Sequence, residues 1–167
     1  LPDPSYALDS RRNQYSSVAV MHELIKFCPE RAKGARAKGD GRPFFAYLPF
    51  LAIHIPIQAP REFVARYDGV YDAGWEAQRT RRHTGAIKTG LIGFDLPIRP
   101  LPAGLRDWDA LSAEEQRLAA KSMAVNAGML EAMDHHFGRL IAHLREIGAY
   151  ENTLFIVLSD NGAESGD

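Results

Sequence analysis

Only one cysteine, Cys28, occurs in 167 residues, so no intrachain disulfide can form and the redox compartment stays open. An excess of charge of either sign is also lacking: 20 Lys and Arg against 21 Asp and Glu leave a formal −1. That balance gives no electrostatic ground for a nucleic-acid or acidic-membrane partner. No apolar run approaches the roughly 20 residues that a membrane-spanning helix needs. The opening "LPDPSYALDSRRNQ" holds no apolar stretch and does not read as a signal peptide. Internal repeats and low-complexity tracts are absent too. What is present is 46% hydrophobic and 25% charged residues, the make-up of a globular domain long enough to bury a real core.

Two long helices and two strands stand out. Val18, Met21, Leu24, Ile25 and Cys28 recur at helical spacing and predict a helix over residues 14–27, stopped by Pro29. "PFFAYLPF", residues 43–50, is short, aromatic and apolar on both faces, and predicts a buried strand. Pro60 at a helix start suits two turns over "PREFVARY". Residues 72–88 predict an arginine-rich surface helix, and residues 90–108 a long irregular connection. The clearest element begins at Ser112, with Glu115 completing a capping box. Leu118, Val125, Met129, Met133, Phe137, Leu140, Leu144 and Ile147 line one face, and Gly148 is a natural stop. After "YENT", residues 153–158 predict a second buried strand. Helix, short turn and apolar strand together predict an α/β domain with a largely parallel sheet flanked by helices.

In such a sheet, ligands bind beyond the carboxyl ends of the strands. The first strand leads to His54 and the second to Asp160 and Asn161. Parallel neighbours would bring these three groups to one edge, with side chains on the order of 10 Å apart so that a substrate fits between them. Asp160 and Asn161 offer hard oxygens that suit Ca²⁺ or Mg²⁺ rather than zinc. Taken alone, Asp-Asn-Gly is more often turn chemistry than a metal site, and two residues do not fill a calcium shell. His54 sits between isoleucines and prolines, where, taken alone, a histidine is more often packed and hydrogen-bonded than catalytic. His22, His135, His136 and His143 fall on helices, on or near their surfaces. The Arg79, Arg81 and Arg82 run reads as a solvated face, and Cys28 as a small buried apolar residue.

Three stretches carry a specific resemblance: "RPFFAYLPFLAIHIPIQAP", "YDAGWEAQRTRR" and "MAVNAGMLEAMDHHFGRLIAHLREIGAYENTLFIVLSDNGAE". In this order and spacing they resemble the type I sulfatases, of the bacterial arylsulfatase kind. The resemblance implies an alkaline-phosphatase-like α/β fold and hydrolysis of sulfate esters, small-molecule or glycan. It implies that Asp160 and Asn161 are metal ligands for an active-site Ca²⁺. It also implies that His54 is a catalytic residue that contacts the sulfate and helps handle the leaving group. Three positions depart from the usual wording: Ile53 stands for a proline, Asn126 for a tyrosine and Gly128 for an alanine.

The family's nucleophile is a formylglycine made from the cysteine or serine of a C-x-P-S-R motif. "CPER" lacks that pattern, so Cys28 is not assigned the role, and the expectation is that residues 1–167 are an internal part of a catalytic domain. The isolated chain is then expected to be inactive. Family members are commonly exported or periplasmic, which leaves compartment and oligomeric state open. A phosphate mono- or diesterase of the same superfamily is the enzymatic rival, and a non-catalytic fragment or paralogue that only binds a partner is the other.

Overall fold

Ser112 starts the longest element of the computed structural model, which describes residues 8–9, 14–37, 43–101, 104–159 and 161–162. Helix α4, Ala113–Glu146, runs for 34 residues, about 50 Å at 1.5 Å per residue. The Ser112 hydroxyl accepts the Glu115 N–H at 3.3 Å, and the Glu115 carboxylate accepts the Ser112 N–H at 2.8 Å, closing the predicted capping box. At the far end Gly148 adopts φ 67°. Its N–H reaches the Arg145 carbonyl at 3.0 Å, and the Ala149 N–H reaches the Leu144 carbonyl at 2.8 Å. These paired bonds are a Schellman stop, and they need a left-handed residue where glycine stands.

Two apolar clusters sit at different heights along α4. Near its C-terminal end, Leu140 and Leu144 pack with Met21 and Cys28 of α1, Ser16–Ala37. Near its N-terminal end, Ala120 and Ala124 pack with Val64 of α2, Arg61–Val64, and with Tyr71. A 3₁₀ turn, Ala65–Tyr67, extends α2, as the Pro60 start predicts. Small residues let α2 come close: a Cβ on Gly128 would lie 3.0 Å from the Val64 backbone nitrogen. Helix α3, Gly74–Lys88, packs its first turn on Trp108, and its Arg81 and Arg82 are exposed as the sequence predicts.

The structure corrects the expected elements in several places. Helix α1 continues past Pro29 to Ala37, so the proline does not end it. It removes only the one N–H that would reach the Ile25 carbonyl. The only paired strands among the described residues are β1, Leu8–Asp9, and β2, Gln14–Tyr15, which are antiparallel. Residues 43–50 and 153–158 are extended but unpaired, so the predicted parallel sheet is not formed among the described residues.

Nor are these two segments buried on both sides. Phe44, Leu48, Phe50 and Phe155 pack on the α1–α4 cluster, while Phe45 is 88% exposed and Leu154 86%. Burial alternates over residues 153–155, but Ile156, Val157 and Leu158 are all exposed, so beyond Phe155 neither face has found a neighbour among the described residues. His136 is also corrected, from a surface residue to a buried one. No described helix is long and apolar enough to cross a membrane.

Candidate active site

His54 follows the first extended segment. A turn closes behind it, with the His54 N–H donating to the Leu51 carbonyl at 2.7 Å. Its ring Nδ1 lies 2.6 Å from the Ile55 carbonyl oxygen. A carbonyl only accepts, so Nδ1 carries the hydrogen and Nε2 is the nitrogen left with a lone pair. Pro56 and Pro60 limit the loop's backbone freedom. The imidazole is thus held by its own neighbour while the side chain stays exposed.

A cavity of about 220 Å³ opens beside it. Its walls come from three parts of the chain: Tyr15 and Ser16 where β2 meets α1, the His54 loop including Leu51, Pro56 and Gln58, and Met129 of α4. The Nε2 of Gln58 is buried without a hydrogen-bond partner among the described residues. The Oδ1 of Asn126, one turn before Met129, is equally unpartnered. A smaller cavity of about 130 Å³ lies between Asp68, Asp72, Arg117 and Lys121, where Lys121 pairs with Asp68 at 3.4 Å.

The second segment ends at Ser159, whose hydroxyl donates to the Asn161 carbonyl at 2.6 Å. The Asn161 Nδ2 donates to the Gly162 carbonyl at 2.7 Å, and the side chain is exposed. That bond uses the amide nitrogen and leaves Oδ1, a hard oxygen suited to Ca²⁺. Asp160 lies outside the described residues. Among the described residues no group of three His, Cys, Asp or Glu could hold a metal. One amide oxygen therefore fits calcium as a single ligand, and the rest of a cage is not among them.

Cys28 is buried in the α1–α4 cluster, and burial pushes its thiol up, away from the thiolate a nucleophile needs. Phe155 and Phe44 meet the same α1–α4 cluster, which brings the stems of both candidate-bearing segments onto one surface. The sequence pointed to His54 through its loop prolines. It gave no sign of Tyr15 or Ser16, which reach the cavity by tertiary packing. It placed Met129 on an apolar stripe without distinguishing it from its neighbours, and Gln58 was visible only within the quoted loop motif.

A family model described as Sulfatase matches residues 3–167. An uncharacterized sulfatase of Schizosaccharomyces pombe is 38% identical over 156 residues, covering 93% of this chain and 27% of its own length. An arylsulfatase of Klebsiella aerogenes is 35% identical over 164 residues, covering 98% of this chain and 32% of its own. A multifunctional alkaline phosphatase superfamily protein of Trinickia caryophylli is 24% identical over 168 residues. The chain thus spans about a third or less of the length of these curated relatives.

Proposed function

This chain belongs to the sulfatase family, and from that premise we propose that the whole protein hydrolyses sulfate esters, with residues 1–167 an internal part of its catalytic domain. The observation that carries the reading is the held imidazole of His54. With Nδ1–H engaged by the Ile55 carbonyl, a second proton on Nε2 makes a general acid of fixed orientation. Breaking the S–O bond leaves an alkoxide or phenoxide on the departing oxygen. His54 gives that oxygen its proton, and the sulfuryl group passes to a nucleophile outside residues 1–167, the expected formylglycine. Cys28 takes no part, because it is buried with a raised thiol.

Asn161 Oδ1, with the Asp160 carboxylate, would hold Ca²⁺, which supplies positive charge to the sulfuryl oxygens. The chain's own contribution is to present these oxygens and His54 from the ends of two segments that share the α1–α4 surface.

Three measurements test this reading. In the whole protein, His54→Ala lowers turnover of 4-nitrophenyl sulfate by at least about 10²-fold, the usual range for a lost general acid, and leaves calcium content unchanged. Asp160→Ala lowers both. The 1–167 chain alone turns over no sulfate ester. A whole protein that hydrolyses 4-nitrophenyl phosphate and not the sulfate overturns the reading in favour of a phosphoesterase.

A further inference from the structure

The tip of the His54 loop is thinly anchored. Leu51, Ile53 and Ile55 are each more than half exposed, and His54 is exposed with them. The two bonds that shape the tip, from the His54 N–H to Leu51 and from its ring to Ile55, stay within the tip. They fix the form of the turn and not its place on the molecule. That place is set by the stem, residues 56–60, which is half-buried. Ala59 of the stem packs on the cluster of Val64, Ala120 and Ala124, so the stem lies against α4. Apolar contact of this kind has no direction. Gln58 is the only polar side chain of the stem, and so the only one able to give it a directed bond.

Its Nε2 is buried without a partner among the described residues, and so is Oδ1 of Asn126 on α4. Both atoms are already out of reach of water, so a segment beyond residues 1–167 does not satisfy them from outside either. Left unpaired, each forfeits the hydrogen bond it makes in the unfolded chain. One is a donor and the other an acceptor, and they stand on elements that meet. Gln58 shares a cavity wall with Met129. Asn126 lies three residues before Met129, a spacing that sets two side chains next to each other on a helix. Both side chains are carboxamides, so each supplies what the other lacks.

Resting on the sulfatase reading, we propose that Gln58 and Asn126 hydrogen-bond to each other, and that this tie positions His54 to protonate the departing oxygen. Both are positioning residues, and neither touches the substrate. Asn126 acts on the reaction through Gln58 and the short backbone between Gln58 and His54, which Pro56 stiffens. A shift at the tie moves the imidazole from the ester oxygen, and about 1 Å of misplacement costs up to about 10²-fold in rate. Asn126 stands where the family wording has a tyrosine, so the tie is a feature of this chain rather than of the shared wording.

Two measurements test the tie and its role. A crystal structure of the whole unmutated protein should place the amide nitrogen of one side chain within about 3.2 Å of the amide oxygen of the other. A longer separation, a water between them, or the Ser17 hydroxyl, also buried without a partner, on Asn126 instead overturns the tie. The second measurement compares kcat/KM for phenyl sulfate and 4-nitrophenyl sulfate, because the less basic nitrophenolate needs a proton less. Gln58→Leu and Asn126→Leu keep the volume and lose the bond. Each should lower phenyl sulfate turnover by about tenfold or more and the nitrophenyl ester by a smaller factor. The double variant should fall no further than the worse single one.

Equal losses on both esters, or losses that multiply in the double variant, overturn the positioning role. A whole protein that hydrolyses no sulfate ester while the two amides are bonded sinks the sulfatase reading and upholds the tie. Turnover of sulfate esters with the amides apart does the reverse.

Discussion

His136 shows what a single residue can carry in this molecule. It is 8% exposed, and its ring lies 6.2 Å from Phe63 of α2 and 5.0 Å from the ring of His135. The Arg139 Nη1 donates to its Nδ1 at 3.3 Å, which requires that nitrogen to be unprotonated. Burial, then the charges of His135 and Arg139, push its pKa below 6.5, and Glu62 opposes them. A histidine held neutral in the fold contributes stability that is present above its unfolded pKa and is lost as pH falls below it. The loss therefore sets in below about pH 6.5. The expected outcome is that His136→Gln costs more stability at pH 7 than at pH 5, read as the difference in Tm from the unmutated chain at each pH. An equal difference at both values would mean that His136 does not titrate with unfolding. Because α2 directly follows the His54 loop, acid should loosen the element that anchors that loop.

At the scale of elements, legibility depended on whether the information was local. The whole of α4 was readable, since Ser112, Glu115, the apolar stripe and Gly148 are all set by near neighbours in sequence. The Glu115 carboxyl is held down to about 2, first by the Arg106 guanidinium and then by the Ser112 N–H and hydroxyl. Its contribution is therefore full above the ordinary glutamate range and disappears only as pH falls toward 2. Ser112→Ala should destabilise the chain by about 1 kcal/mol in denaturant titrations, the usual cost of a lost N-cap. An unchanged midpoint would show that Arg106, which reaches Glu115 at 2.8 Å, holds this helix end without the serine.

Pro29 misled because an interior proline's cost, one hydrogen bond and a clash of about 3 kcal/mol, does not by itself end a helix whose earlier turns pack on α4 through Met21 and Cys28. Gly128 stood out only as a departure from the family's alanine, whereas its reason lies across the interface, in the Val64 backbone. Asp160 and Asn161 were visible as a pair of hard oxygens, but a pair alone does not tell a metal site from a turn.

At the scale of the whole molecule, the strands explain why the sheet was legible in pattern and absent in burial. Phe44, Leu48 and Phe155 pack on the helices, while Phe45, Tyr47, Leu154, Ile156, Val157 and Leu158 are exposed. Period-two alternation with large apolar residues on both faces is the signature of a strand meant to be covered twice. A surface of this kind, with unpaired backbone groups beside it, is a template for association. The relatives are about three times as long as this chain, so they have ample further sequence with which to cover such a face.

The 1–167 chain on its own is therefore expected to bind the dye ANS and to self-associate as concentration rises, seen as growing mass in light scattering. Charges placed on the outward face, Phe45→Glu with Ile156→Lys, should suppress both signals while leaving helix content by circular dichroism unchanged, because neither residue packs on the α1–α4 cluster. A chain that stays monomeric and dye-free without those substitutions would mean that the outward residues are covered within the chain itself. The exposed positions of Leu154 and Ile156 would then not describe it in solution.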